Sequence, residues 1–170
     1  PSTATFTGGS AHTVDRVAPA ISGTPTMSDA TITQSDTSGT VTVTIDFTEA
    51  MDSSGDLTFS FPTSGENASS TLSLDTGASG WSNGDTTYTA VFDVADADQT
   101  LSAVDLQVSG FADTAGNSGG PTTLTDLITT IDTDEPTLAS IVRLGSATIN
   151  GSTAGFTVTF DQTVDTVVLG

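Results

Sequence analysis

A short motif occurs twice in the chain, and this repeat limits the fold more than any other feature of the sequence. The segment VDRVAP at 14–19 recurs as IDTDEP at 131–136, so the offset is 131 minus 14, or 117 residues. A second match, of TVTF at 157–160 with TIDF at 44–47, has an offset of 160 minus 47, or 113 residues. Self-similarity over such a long period is typical of tandem arrays of domains. The repeat therefore predicts the end of one module in 1–18, a complete module in 19–135 and the start of another in 136–170.

Apolar and polar residues alternate in 40–47, as expected for a strand with one buried face. Val41, Val43, Ile45 and Phe47 are separated by threonine or aspartate, which gives a period of two. Similar runs recur along the chain without a convincing helical period. They predict strands near 20–27 and at 40–48, 56–61, 70–75, 86–94, 103–111 and 122–131. Seven strands in a module of about 115 residues predict an all-β, immunoglobulin-like β-sandwich.

The charge balance is strongly acidic, with a formal net charge of −19. Of the 21 Asp and Glu residues, all but three lie in 19–135, which leaves 18 there. The two basic residues, Arg16 and Arg143, both lie outside that range. The complete module therefore has no Lys or Arg to pair with its carboxylates, and clustered acids require cations from solution. Those cations are either bound metal or the ions of a high-salt medium.

The composition also excludes several classes of function. Binding to nucleic acid or to an anionic membrane surface depends on Lys and Arg, so neither partner is expected. No apolar run is long enough for direct insertion into a membrane, and no secretory signal pattern is present. His12 is the single histidine and there is no cysteine or lysine, which argues against serine triads, thiolate nucleophiles and Schiff bases. We therefore expect a soluble protein that is not an enzyme.

Four segments together resemble a known class of repeat. They are VTIDFTEAM at 43–51, GWSNGDTTYT at 80–89, VSGFADTAGN at 108–117 and IDTDEP at 131–136. In this order they resemble the bacterial immunoglobulin-like tandem repeats of large extracellular adhesins of the RTX type. The resemblance implies a β-sandwich array on a cell surface or in a secreted fibre, often with calcium at the junctions between modules. It implies no particular ligand.

Acidic loop residues are predicted to converge at the end of the sandwich where its first strand begins. In an immunoglobulin-like fold, the loops after the second and sixth strands lie at that end. The residues expected to meet there are Asp15, Glu49, Asp52, Asp113 and Asn117. Calcium binds six to eight oxygen atoms from carboxylates, carbonyls and water, and this group supplies several of them. The sequence therefore predicts a calcium site at the first linker.

A second acidic group is predicted at the other end of the module, where the following linker departs. Its members are Asp36, Asp96, Asp98, Asp132, Asp134 and Glu135. Its linker carries more acids than the first one, so we expect it to be the stronger metal candidate. One substitution complicates the counterpart of the first site, because Gln162 takes the place of Glu49 in the third module. The simpler alternative is that all these acids hydrate the surface, while Asp113 and Asn117 serve turn geometry.

These observations predict a non-enzymatic, extracellular or cell-surface array of modules that calcium stiffens. Its partners would be neighbouring modules in the same or adjacent chains, together with a surface glycan or a host or substratum ligand. The main alternative is a subunit of a surface layer or fibre, in which neighbouring chains complete the partial modules. A lesser alternative is a carbohydrate-binding module in which Trp81 stacks on a sugar ring. For Trp81 we expect instead the role of a partly buried loop anchor.

Overall fold

The computed structural model describes residues 9, 14–145, 151 and 153–168, so His12 lies outside the described residues. These residues form strands, turns and loops, with a single 3-10 turn at Gln34–Asp36 and no α-helix. The strands are β1 Ile21–Met27, β2 Thr31–Thr33, β3 Thr40–Phe47, β4 Thr58–Ser60, β5 Leu72–Leu74, β6 Gly80–Ser82, β7 Thr87–Val94, β8 Thr100–Ser109, β9 Thr122–Asp132, β10 Leu138–Leu144 and β11 Gly155–Phe160. The prediction of an all-β chain is confirmed.

Two larger sheets are built from residues 21–132. One has the strand order β1-β3-β7-β5, with β6 also paired to β7, and the other has the order β2-β9-β8-β4. Neighbouring strands are antiparallel except β2 and β9, which run parallel. The hairpin of β10 and β11 forms a separate, two-stranded sheet. No helix in the described part of the chain is long and apolar enough to cross a membrane.

The core lies between the two larger sheets. On β3, the four apolar residues at alternate positions are buried, and the threonines and aspartate between them face outward or are half-buried. Phe59 of β4 packs across the gap on Phe92 of β7, with ring centroids 5.4 Å apart. Each apolar side chain that is fully buried in this way contributes about 1.5–3 kcal/mol relative to an exposed one. The sheets therefore pack face to face, as in a β-sandwich.

The seven predicted strands of 19–135 correspond to β1, β3, β4, β5, β7, β8 and β9, while β2 and β6 were not predicted. A turn at Asp29 separates β2 from β1, because the Asp29 carboxylate accepts a hydrogen bond from the Thr31 N–H (2.8 Å). After this turn the chain leaves the first sheet and joins the second beside β9. Strand β6 pairs with β7 through three residues, with Trp81 opposite Tyr88.

The β10–β11 hairpin repeats the pairing at the start of the sandwich. Leu138 pairs with Phe160 as Ile21 pairs with Phe47. Two hydrogen bonds adjacent to each of these pairs also recur, at the same offsets of 117 and 113 residues. The Ala20 N–H donates to the Thr48 hydroxyl (3.1 Å) and the Thr48 N–H to the Ala20 carbonyl (2.9 Å). At the counterpart positions, the Thr137 N–H donates to the Asp161 carboxylate (2.8 Å) and the Asp161 N–H to the Thr137 carbonyl (3.1 Å).

Candidate metal centre

Three carboxylates converge beside the start of β1. Asp15 lies in the segment before β1, Glu49 follows the end of β3, and Asp113 lies in the loop after β8. One oxygen atom from each carboxylate lies within 4.8 Å of the others. We call these three residues the acidic cluster. Within the described residues, no other three Asp, Glu or His side chains come as close together.

Backbone contacts bring Asp15 and Glu49 to this point. The paired hydrogen bonds between Ala20 and Thr48 tie the start of β1 to the chain just beyond β3, one residue before Glu49. The Asp15 side chain accepts a hydrogen bond from the Val17 N–H (2.9 Å), which folds the linker into a local turn. Asp15 is exposed and Glu49 is half-buried. The cluster is therefore open to solvent on the linker side.

Asp113 is the buried member of the cluster, with 2% of its surface exposed. One of its carboxylate oxygens accepts the N–H groups of Ala115 and Asn117, both at 2.8 Å. The other oxygen accepts a hydrogen bond from the Asn117 side-chain amide (2.7 Å). The loop turns at Gly116, whose φ of 87° lies in the left-handed region that favours glycine. These donors fix the carboxylate in one orientation.

The electrostatic balance differs between Glu49 and Asp113. Burial raises the pKa of Glu49, and repulsion from the carboxylates of Asp15 and Asp113 raises it further. Burial also acts to raise the pKa of Asp113, but the hydrogen bonds from Asn117, Ala115 and Gly116 together outweigh it and lower that pKa. Asp113 is therefore held in its charged form, and Glu49 bears the cost of the shared negative charge. A cation at the centre of the cluster would relieve this cost.

Of the other two residues predicted for this end, Asp52 lies outside the cluster and Asn117 lies beside it. The Asp52 carboxylate accepts a hydrogen bond from the Ser54 N–H (3.0 Å), and the bonds from Ser54 lower the pKa of Asp52. Asn117 lies beside the cluster, but its side-chain N–H group is directed to Asp113. Asp52 therefore stabilises its own loop, and Asn117 supports a carboxylate that is a candidate metal ligand.

A glutamine brings together two members of the second predicted group. The Gln34 amide nitrogen donates hydrogen bonds to Asp96 (2.8 Å) and to Glu135 (3.1 Å). Its oxygen is buried, and in the described part of the molecule it has no hydrogen-bond partner. A neutral amide thus binds the two carboxylates where a cation was predicted. Sequence reasoning missed Gln34, because nothing marks a loop glutamine as a bridging residue before the topology is known.

The other four predicted acids of that end have separate contacts. Asp36 accepts a hydrogen bond from the Thr33 N–H (2.8 Å), and Asp132 accepts one from the Thr100 hydroxyl (3.4 Å). The Asp98 N–H donates to Asp96 (3.4 Å). Asp134 uses its backbone carbonyl, which accepts a hydrogen bond from Gln162 (2.9 Å). We expected the second linker to hold the stronger site, but the closer arrangement of carboxylates is at the first.

Trp81 is half-buried, as predicted, but it lies in strand β6 and not in a loop. Its indole N–H donates a hydrogen bond to the Gly55 carbonyl (3.2 Å). Its ring centroid lies 5.4 Å from that of Phe47 and 4.9 Å from that of Tyr88. Tyr88 is itself buried and donates to Asp56 (3.0 Å), and burial with this contact raises the pKa of Tyr88 to about 12. The indole therefore packs within the sandwich.

Comparison with protein-family models, with curated proteins and with solved structures found no match to the chain.

Proposed function

We propose that the chain is a non-enzymatic structural or adhesive repeat of an extracellular surface protein, in which calcium binds at the acidic cluster. The observation that carries this proposal is the convergence of Asp15, Glu49 and Asp113 within 4.8 Å of one another. Glu49 and Asp113 lie in 19–135, which has no Lys or Arg, and Asp15 is followed by Arg16. One arginine does not balance three carboxylates, so a bound cation is the simplest source of the remaining positive charge.

The strand order supports an immunoglobulin-like assignment. In immunoglobulin constant-type sandwiches, strands one, two, five and four form one sheet, and strands three, six and seven form the other. Taking the seven predicted strands in order, β1, β3, β7 and β5 form the first set, and β4, β8 and β9 form the second. The recurrence of the β1–β3 pairing in β10 and β11 supports a tandem array, in which residues 136–170 begin another module.

Calcium fits this cluster better than softer metals, because all three side chains offer hard oxygen atoms. Three carboxylates leave several positions of a six- to eight-coordinate ion for water, and the exposed Asp15 side leaves room for it. Because Asp15 belongs to the linker and the other two residues to the sandwich, a shared ion would hold the linker against the module. In an array, neighbouring modules in the same or adjacent chains would then be held at a defined angle.

The open face of the β10–β11 hairpin favours a second candidate, a subunit of a fibre or surface layer. In the described part of the chain, the large apolar side chains that are exposed lie in 14–17 and 138–168, and none lies in 19–135. A carbohydrate-binding role through Trp81 is not favoured, because its ring and its N–H group already have partners within the module.

A thermal-unfolding titration of the 170-residue chain tests the proposal. We expect CaCl2 to raise the melting temperature well above the effect of NaCl at matched ionic strength, because only a site with defined geometry gains from low concentrations of calcium. At a free concentration 100 times the dissociation constant, one site stabilises the folded state by about 2.7 kcal/mol. MgCl2 is expected to act more weakly, because Mg²⁺ loses its hydration water reluctantly.

Two variants locate the effect. Glu49→Gln removes one ligand of the cluster, and we expect it to abolish most of the shift caused by calcium. Asp52→Asn removes one charge from the same loop but outside the cluster, and it should retain the shift. A response of Glu49→Gln equal to that of the unmodified chain, or a NaCl response as large as the CaCl2 response, would show general screening and overturn the proposal.

A further inference from the structure

The β10–β11 hairpin exposes a large apolar face. Ile141, Phe156 and Val158 are 58%, 55% and 42% exposed, respectively. With Ala154 they line an open concavity of about 550 Å³. Exposed apolar surfaces of this kind usually mark a site of interaction.

The internal repeat identifies the buried counterpart of this face. At the offset of 113 residues, the alternate positions of β11 correspond to the alternate positions of β3. The pairs are Val41 with Ala154, Val43 with Phe156, Ile45 with Val158, and Phe47 with Phe160. On β3 these side chains are at most 5% exposed. Among the counterparts, Ala154, Phe156 and Val158 are exposed and Phe160 is half-buried.

The sandwich also shows what covers such a face. Strand β3 pairs with β1 along one edge and with β7 along the other, where Ile45 faces Tyr88 and Val43 faces Ala90. Strand β11 pairs with β10 along the first of these edges. Within the described residues, no strand pairs with its second edge. The strands of 19–135 already bury their own large apolar side chains, so none of them is the missing neighbour.

We propose that the free edge of β11 binds a further antiparallel β-strand, with large apolar residues at alternate positions as in β7. Addition of a strand to an open edge satisfies its free N–H and carbonyl groups, and alternate side chains confer specificity. The proposal does not depend on calcium, because no residue of the acidic cluster belongs to the hairpin.

Differences between β11 and β3 refine the chemistry of the partner. Phe156 is larger than its counterpart Val43, and Ala154 is smaller than Val41. On β7 the residue opposite Val43 is the small Ala90, and the residue opposite Val41 is the large Phe92. A strand of the pattern aromatic-x-Ala-x-aromatic thus places a small side chain opposite Phe156 and a large one opposite Ala154. The partner of β11 is a strand of this pattern.

A fluorescently labelled peptide with the sequence of residues 85–96 is a direct probe, because it carries this pattern. We expect saturable binding to the full 170-residue chain by fluorescence anisotropy in about 150 mM salt, which screens repulsion between the acidic molecules. A control peptide with serine at the positions of Tyr88 and Phe92 keeps the length and charge. It should bind at least tenfold more weakly.

Two substitutions on adjacent positions of β11 locate the binding. Val158→Asp places a charge on the apolar face and should weaken binding at least tenfold. Thr157→Asp adds the same charge to the opposite face of the strand and should change binding little. Hydrogen exchange gives a second measurement, because amide groups of β11 should become protected when the peptide binds.

Three outcomes would overturn this proposal. The first is the absence of saturable binding. The second is binding that Val158→Asp leaves unchanged, which would mean that the peptide replaces β7 in the complete sandwich. The third is concentration-dependent dimerisation of the chain that Val158→Asp abolishes and that excludes the peptide, since the occupant would then be a second copy. A calcium response with no peptide binding would leave the proposed metal site intact while rejecting this inference.

Discussion

At the scale of single residues, Glu49 and Asp113 show how the same chemistry leads to opposite pKa shifts. Asp113 has donors arranged around its carboxylate, so its charged form is favoured although it is buried. The pKa of Glu49 is instead raised by burial and by its two acidic neighbours. A folded-state pKa above the unfolded value means that the charged side chain destabilises the fold. Glu49 is therefore the position where a change of charge should be most informative.

We expect Glu49→Gln to melt at a higher temperature than the unmodified chain at pH 7 when calcium is chelated. The cost of the charged Glu49 is fully present above its raised folded pKa, and it is relieved as the pH falls toward the ordinary value of 4.5. The difference between the two proteins should therefore shrink as the pH is lowered through this window. In calcium at pH 7 the order should reverse, because the unmodified chain alone retains all three ligands. Calorimetry from pH 7 to pH 4.5 measures both effects.

Titration of Asp113 does not interfere with this measurement, because the pKa of Asp113 is lowered and its effect on stability occurs at lower pH. Its pKa is depressed, so its contribution to stability is present above the ordinary value of 3.8 and is lost as the pH falls through the folded pKa. Asp52→Asn is the control for removal of an acid from the same loop. If the melting temperatures of Glu49→Gln and the unmodified chain in chelator depended on pH in the same way, the inferred cost of the Glu49 charge would be contradicted.

Gly119 is a residue-scale constraint on the loop that holds Asp113. A Cβ atom at Gly119 would lie 1.9 Å from the Cε2 atom of the Phe111 ring, which is buried and packs on Phe47 at 5.1 Å. We expect Gly119→Ala to destabilise the fold by about 1–3 kcal/mol, because the ring must move within a packed core. Gly120→Ala is the matched control, since a Cβ there meets nothing within 4 Å. Chemical denaturation of both variants measures the difference, and equal midpoints would contradict the predicted clash.

The sequence predicted which loops carry the acidic cluster, but not which acids would enter it. Glu49, Asp113 and Asp15 were expected together because each adjoins a strand end or linker at one end of the sandwich. Asp52 was expected there too, but its carboxylate accepts a hydrogen bond from the Ser54 N–H, which holds the side chain in its own loop. Aspartate readily forms such local hydrogen bonds, and a sequence alone does not distinguish them from metal ligation.

At the scale of elements, the long alternating strands were predictable and the short ones were not. Strands β3 and β7 each have eight residues, and their own alternation of apolar and polar side chains identifies them. Strands β2 and β6 have three residues each, too few to define a period. The pairing of β2 depends on β9, which is distant in sequence, whereas β6 pairs with the next strand, β7. For that reason, local patterns did not reveal the crossing of the chain between the sheets.

The correspondence between β3 and β11 gives an element-scale prediction. Ile45 is completely buried and Val158, its counterpart, is 42% exposed. We expect Ile45→Ala to reduce the free energy of unfolding by about 2–5 kcal/mol, because it leaves a cavity in the core. Val158→Ala should change it by no more than about 0.5 kcal/mol in the isolated chain. Equal losses in urea denaturation would show that the β11 face is covered in solution.

At the scale of the whole molecule, charge and packing act against each other. The sandwich buries a continuous apolar core, while 18 carboxylates in 19–135 repel one another without a basic residue among them. Hydrogen bonds from amides and hydroxyls hold many of these acids, as Gln34 does for Asp96 and Glu135. Such donors fix geometry but leave the net charge unchanged. The fold therefore depends on the ions around it more than a protein of balanced charge does.

This dependence predicts that NaCl raises the melting temperature of the chain even without calcium. The Debye length falls from about 30 Å at 0.01 M salt to about 3 Å at 1 M, so repulsion between distant carboxylates is largely removed over this range. Tetramethylammonium chloride is the matched control, because it screens equally but its cation is too large for the acidic cluster. Equal shifts with both salts would identify screening, and a larger shift with NaCl would identify sodium at the cluster. A melting temperature that stays constant or falls with both salts would contradict the inferred self-repulsion of the module.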